Sequence, residues 1–181
     1  MEAHDKLPDP VLNLLKSSRF IHLATCLNDK PHVSLMNYTF CQQGDKQLII
    51  ISTPTRTTKY QNILSNPNVS ILIHDWISVK DTTESKESAA SKRRNSLFEL
   101  LASFNKNEIS RVSVMLDGKA KILDEVNDTD SFNFYKSLHL NNPKIDENQI
   151  KNYIEKENNA LILIEVTGCK VTDTDNNIEE Y

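Results

Sequence analysis

The sequence predicts a mainly β protein with inserted helices, in which six antiparallel strands form a closed or split β-barrel. Three observations point there. Runs rich in β-branched and aromatic residues, Phe20 to Cys26, Pro31 to Phe40 and Leu48 to Ser52, follow one another with only LNDK and CQQGDKQ between them. Connections that short cannot contain the crossover a parallel pair needs, so these strands are expected to form an antiparallel meander. Three more apolar runs, Val69 to Ile73, Ser110 to Leu123 and Leu161 to Val166, lie far apart with helical patterns between them. Within the second of these, Gly118 is expected to mark a bulge or sharp bend of the kind a barrel requires.

In chain order, Val11, Leu12, Leu14 and Leu15 after Pro8 and Pro10 predict a short amphipathic helix ending near Ser18. A β-hairpin follows over residues 19–41, then a turn at Gly44 and Asp45 and the strand to Ser52. Thr58 to Ser65 reads as one short helix with Tyr60, Ile63 and Leu64 on a common face, stopped by Pro67. From Val79 to Asn95 the chain has almost no apolar residue and is expected to be a mobile insertion. Lys92, Arg93 and Arg94 before Ser96 fit either a solvated linker or a basophilic phosphorylation site. Leu97, Leu100, Leu101 and Phe104 recur at helical spacing, as do Phe132, Tyr135 and Leu138, and Asp146 with Gln149 opens a helix carrying Ile150, Tyr153 and Ile154. The acidic residues from 173 to 181 are expected to fray. Without internal repeats, residues 1–181 read as a single domain.

A formal net charge of −4 and a pI near 5.7 give no general attraction to nucleic acid or anionic lipid. No apolar run is long enough to span a membrane, and MEAHDKLPDP lacks the basic start and apolar core of a secretory signal. Cys26, Cys41 and Cys169 are odd in number and set among apolar residues, which suits reduced thiols; the expected location is the cytoplasm, with the nucleus as the alternative. No CxxC, HExxH or paired Cys/His spacing supports a metal site. His74 and Asp75 cannot form a hydrolase pair, because neighbours on a strand point to opposite faces, and there is no nucleophile elbow. No side chain is nominated as a catalytic acid or base.

The stretch from Ile50 to Ile73 is the most informative. Thr58 with Gln61 fits a capping box, which would start the helix there. Arg56 and Lys59 then sit at the positive end of the helix dipole, where cations are unfavourable. Two readings fit. One is a capped, solvated helix with incidental surface charges. The other is a phosphate receptor, in which free helix N–H groups act with Arg56, Lys59 and the hydroxyls of Thr55, Thr57 and Thr58.

Taken together, the segments FIHLATCLNDKPHVSLMN, STPTRTTKYQNILSNPNVSILI and VSVMLDGKAKIL resemble the FMN-binding split-barrel family of pyridoxamine 5′-phosphate oxidase-like proteins, and the chain is similar to fungal members of it. The likeness runs from Leu14 to Val171, interrupted by the polar insertion. It implies FMN as the cofactor and a homodimer with flavin in the subunit interface. It places Lys59 on the phosphate-binding lysine, with Thr58 before it, and Ser52 and Thr53 on residues that touch phosphate and ribityl oxygens. His32 to Asn37 matches the strand along the flavin, with Met36 and Asn37 as ring contacts. Ser113 falls where relatives carry a Gln that reaches FMN from the second subunit, and Trp76 either stacks near the ring or belongs to core or interface.

Members that oxidise pyridoxamine phosphate end in a segment with a Trp and paired arginines, and carry Arg and Lys at the ends of the second-strand motif. This chain ends in NNIEEY and holds His32 and Asn37 at those positions. The resemblance therefore extends to fold and FMN binding but not to that oxidase activity. Two functions follow: an FMN-dependent oxidoreductase acting on a small molecule that the sequence does not identify, or a non-enzymatic dimeric module that binds a flavin or another ligand.

Overall fold

The computed structural model describes residues 7–74, 112–145, 150, 158–173 and 176–181. The expected insertion at 79–95, Ser96, the helix from Leu97 to Phe104, Asp75, Trp76 and the helix opened by Asp146 lie outside them. The first helix, α1 (Asp9–Ser17), carries Pro10 in its first turn, where a missing N–H breaks no helical bond, and buries Val11, Leu12 and Leu15. Strands β1 (Phe20–Leu27) and β2 (Lys30–Asn37) form the expected hairpin. Its turn needs positive φ at two residues, and Asn28 (49°) and Asp29 (59°) are of the types that tolerate this.

The expected strand from Pro31 to Phe40 is two strands, and the expected meander does not form. Tyr38 separates β2 from β3 (Thr39–Gln43), which among the described strands pairs only with β4 (Lys46–Pro54). The break has a physical cause. The buried Tyr38 hydroxyl donates to Leu15 O at 2.6 Å, and the Asn142 amide donates to the Tyr38 carbonyl at 2.9 Å, so both ends of the residue are committed outside a sheet ladder.

After β4 come α2 (Thr58–Ser65), β5 (Asn68–His74), β6 (Ser113–Leu123), α3 (Thr129–Leu140), β7 (Asn159–Thr172) and β8 (Ile178–Glu180). The sheet runs β2-β1-β5-β6-β7-β4-β3, with β8 on β7, and every pair is antiparallel. Strands β2 and β3 end this path, yet only Tyr38 lies between them in sequence. The sheet must therefore curl until its ends meet, which gives a split barrel: the ends touch at a corner without pairing. Among the described residues, eight strands replace the expected six because of the break at Tyr38 and the added β8. Residues 178–181 do not fray as expected. Tyr181 and Cys169 exchange both backbone hydrogen bonds (2.8 and 3.0 Å), so the acidic tail is paired through its backbone while its carboxylates face solvent.

Ile21, Leu23, Ile51, Ile71, Leu116 and Ile164 point into the barrel and are buried. On the other side of β4, Leu48 and Ile50 pack with Phe132 and Tyr135 of α3. Burial on both faces explains why β4 reads as the continuous run LIII rather than as an alternation. The bulge expected at Gly118 is present as a register shift between Asp117 and Gly118. A Cβ there would stand 2.7 Å from Ile164 Cγ2.

The outer face is less polar than a solvated sheet. Leu35, His22, Leu72 and Met115 form one cross-strand row over β2, β1, β5 and β6, and Leu35 and Leu72 are 60% and 40% exposed. Among the described residues, no helix is long and apolar enough to cross a membrane.

Candidate functional site

A cavity of about 360 Å³ opens where the ends of β2 and β4 meet the start of α2 and the end of α3. Strand β2 contributes Leu35, Met36 and Asn37; β4 contributes Ser52, Thr53 and Pro54. Thr57 and Lys59 line it from the turn and helix that follow, and His139 and Ile145 close the far side.

The turn is built by its hydroxyls. Thr57 Oγ1 donates to Pro54 O at 2.9 Å, so its oxygen is free to accept from Thr53 Oγ1 at 3.1 Å. Those contacts use Thr57, the N-cap residue, for holding the turn, and α2 has no side-chain cap. The expected capping box does not form: Thr58 is the first helical residue, and the Gln61 amide donates to Thr55 O at 2.9 Å. An uncapped helix start leaves the first-turn N–H groups without intrahelical partners. Asn62 and Ile63 fix α2 in place, Asn62 by donating to Thr25 Oγ1 at 3.0 Å and Ile63 by burial in the core.

Lys59 is half-buried, and burial pushes its ammonium below the ordinary lysine range. It makes no ion pair among the described residues, and no acidic residue stands in the first turn of α2. Desolvation, the helix dipole and the missing counter-charge all disfavour this cation; an anion in the cavity would relieve all three. A second unmet demand lies in the same cavity. Asn37 Oδ1 is buried and has no hydrogen-bond partner among the described residues. An orphaned acceptor of this kind costs roughly 1–3 kcal/mol unless something donates to it.

Six of the nine residues singled out from sequence, Met36, Asn37, Ser52, Thr53, Thr57 and Lys59, line one cavity. Arg56 and Thr58 are exposed and do not line it, because the N-cap falls on Thr57 and turns both neighbours to solvent. Ser113 is on β6 opposite His74 and Thr172, on the outer face of the sheet and outside this cavity. Sequence reasoning missed His139, which is 1% exposed, and also Leu35, Pro54 and Ile145. A signal for His139 existed: it continues the buried face of Phe132 and Tyr135 at helical spacing.

A sequence model of the family described as pyridoxamine 5′-phosphate oxidase matches residues 7–171. The chain belongs to the pyridoxamine 5′-phosphate oxidase family. A family relative in Schizosaccharomyces pombe, a pyridoxamine 5′-phosphate oxidase homologue, is 33% identical over 188 residues, spanning 100% of this chain and 93% of its own. Among solved structures, a heme-binding protein from Mycobacterium smegmatis superposes with a TM-score of 0.60 at 16% identity, over 93% of this chain and 54% of that one. A FAD-binding protein from Mesorhizobium loti superposes with a TM-score of 0.56 at 13% identity, over 91% of this chain and 94% of that one. At such low identity these two structures share the family fold with this chain and nothing further.

Proposed function

We propose that this member of the pyridoxamine 5′-phosphate oxidase family binds FMN and acts as a homodimeric oxidoreductase in the cytoplasm. The observation that carries the reading is Lys59, a half-buried cation without a counter-charge among the described residues, at the uncapped start of α2 and on the wall of the cavity. A phosphate would satisfy it. A cavity of about 360 Å³ suits a small-molecule cofactor, and the orphaned Asn37 Oδ1 calls for a donor such as a ring N–H. Membership of the pyridoxamine 5′-phosphate oxidase family supports a flavin as the ring.

When bound, the flavin supplies the electron-transfer chemistry. The chain binds and orients it. Lys59 and the α2 amides hold the phosphate end; Leu35 and Met36 give apolar contact along the ring; Asn37 meets a polar edge. His32 and Asn37 stand where the resemblance places an Arg and a Lys in the pyridoxamine phosphate oxidases, so that oxidase activity does not follow from family membership.

The homodimer rests on the apolar row of the outer face. Leu35 belongs both to that row and to the cavity wall, so a second copy packed on this face would also cover the cavity mouth. Ser113, on the same face, would then be within reach of a partner's site.

Purification followed by absorption spectroscopy tests the reading. A flavin spectrum, with FMN released on denaturation and bleached by a nicotinamide cofactor, is the expected result. Bound flavin that no donor reduces would make the protein a carrier module. A colourless chain that FMN does not restore, or a heme spectrum, would remove the proposal.

A further inference from the structure

We propose that His139 is a hydrogen-bond donor to the ring of the bound flavin, presenting a neutral Nε2–H to the cavity in a tautomer fixed by Thr39 and Asn142. The inference rests on the flavin reading of the site and adds the means by which its ring end is recognised.

Counting protons gives the tautomer. The Asn142 amide spends one N–H on Tyr38 O (2.9 Å) and donates the other to Thr39 Oγ1 (2.8 Å). The Thr39 hydroxyl, having accepted there, has its own proton free for His139 Nδ1, 2.8 Å away. Were Nδ1 protonated instead, Thr39 would accept two bonds and its own O–H would be left without an acceptor. Nδ1 therefore accepts, and the ring proton sits on Nε2.

A histidine satisfied on both nitrogens would be a packing residue. Nε2 of His139 has no partner among the described residues, although the ring is 1% exposed and lines the cavity. Burial holds the ring's pKa down to about 4, so the donor is uncharged at neutral pH. The same cavity offers the orphaned acceptor Asn37 Oδ1. One donor and one acceptor complement a ligand edge on which a carbonyl stands beside an N–H, as on the pyrimidine-dione ring of a flavin. Lys59, on the wall of the same cavity, answers to phosphate. The two contacts should therefore be separable by experiment.

The test has two arms. Heteronuclear NMR of the imidazole nitrogens in the ligand-free protein reads the tautomer directly; an Nε2-protonated ring is expected, and an Nδ1-protonated one overturns the inference whatever the chain binds. Fluorescence titration with FMN and with riboflavin reads the contact. His139→Phe should weaken both ligands by a similar factor, roughly tenfold or about 1.4 kcal/mol, and His139→Gln, which keeps an N–H donor, should recover part of the loss. Thr39→Val, nearly isosteric, should mix the tautomers in the NMR spectrum and weaken both ligands, which keeps the test decisive should His139→Phe not fold. Wild-type binding with unchanged affinities in these variants overturns the role of His139 and leaves the flavin site standing. No binding of either ligand by the wild type overturns the site itself and the inference with it.

Discussion

Lys59 and His139 make opposite demands of the same cavity, one for an anion and one for an acceptor that is neutral, and each can be tested alone. Lys59→Ala removes a charge-assisted contact worth about 1.5–3 kcal/mol, so FMN should bind roughly ten- to a hundredfold more weakly while riboflavin, which has no phosphate, is unaffected. Isothermal titration of both ligands checks this. The ligand-free protein should not lose stability, since the change removes a half-buried cation from the positive end of a helix. His139 predicts a pH dependence. Its folded pKa of about 4 lies below the ordinary 6.5, so the unfolded chain binds more protons between these values and stability rises with pH across that window. The contribution is complete above about pH 6.5 and is lost as the pH falls toward 4. A gap of this size is worth about 3 kcal/mol, and urea midpoints across the window should show it in the wild type and a flatter profile in His139→Gln. Lys59 and Thr57 were legible in the sequence because helix-terminus chemistry is local. The partnership of His139 with Thr39 spans a hundred residues and the orphaned oxygen of Asn37 is created by burial, so neither has a sequence signature.

Among the elements, β6 and β7 share the constraint that is easiest to probe. Gly118 sits at the bulge with Ile164 Cγ2 2.7 Å and Glu165 O 3.1 Å from where a Cβ would be. The Ile164 methyl belongs to a stiff, fully buried side chain and the oxygen to a paired backbone, so neither can yield easily. Gly118→Ala should destabilise the protein by about 1–3 kcal/mol, seen as a lower urea midpoint with an unchanged slope. The bulge was legible because a glycine inside an alternating strand has few other uses. The break at Tyr38 was not, since NYTF has the composition of a continuing strand and the groups that interrupt it, Leu15 O and the Asn142 amide, come from distant helical and loop segments. The β8 tail was misread for a related reason: acidic composition describes side chains, whereas its pairing with Cys169 and Lys170 uses the backbone.

Across the whole molecule, the proposed homodimer would cover the apolar outer face. Leu72 is 40% exposed between His22 and Met115, so Leu72→Glu should convert a dimer into a monomer in sedimentation velocity while changing the stability of the isolated fold by no more than about 0.5 kcal/mol. A wild-type protein that sediments as a monomer with flavin bound would exclude the interface. The barrel class was legible because turn lengths and strand patterns are local facts, but the order of strands, in which β2 and β3 lie at opposite ends of the path, is fixed only by long-range pairing. That order has a consequence for the cavity. Asn37 precedes Tyr38 and Thr39 follows it, so the acceptor proposed for the ring and the hydroxyl that sets the His139 tautomer stand on the two sides of a one-residue tether between the strands that end the sheet path. The site thus behaves like a bivalent receptor whose halves are held at high effective concentration by the shortest linker a chain can make. Lengthening that linker with flexible residues would leave the strand pairs of the sheet intact. Closure entropy grows only by about 0.6 kcal/mol per doubling of loop length, so what such a linker gives up is the registry of the two halves, and ligand selectivity should fade before the fold does.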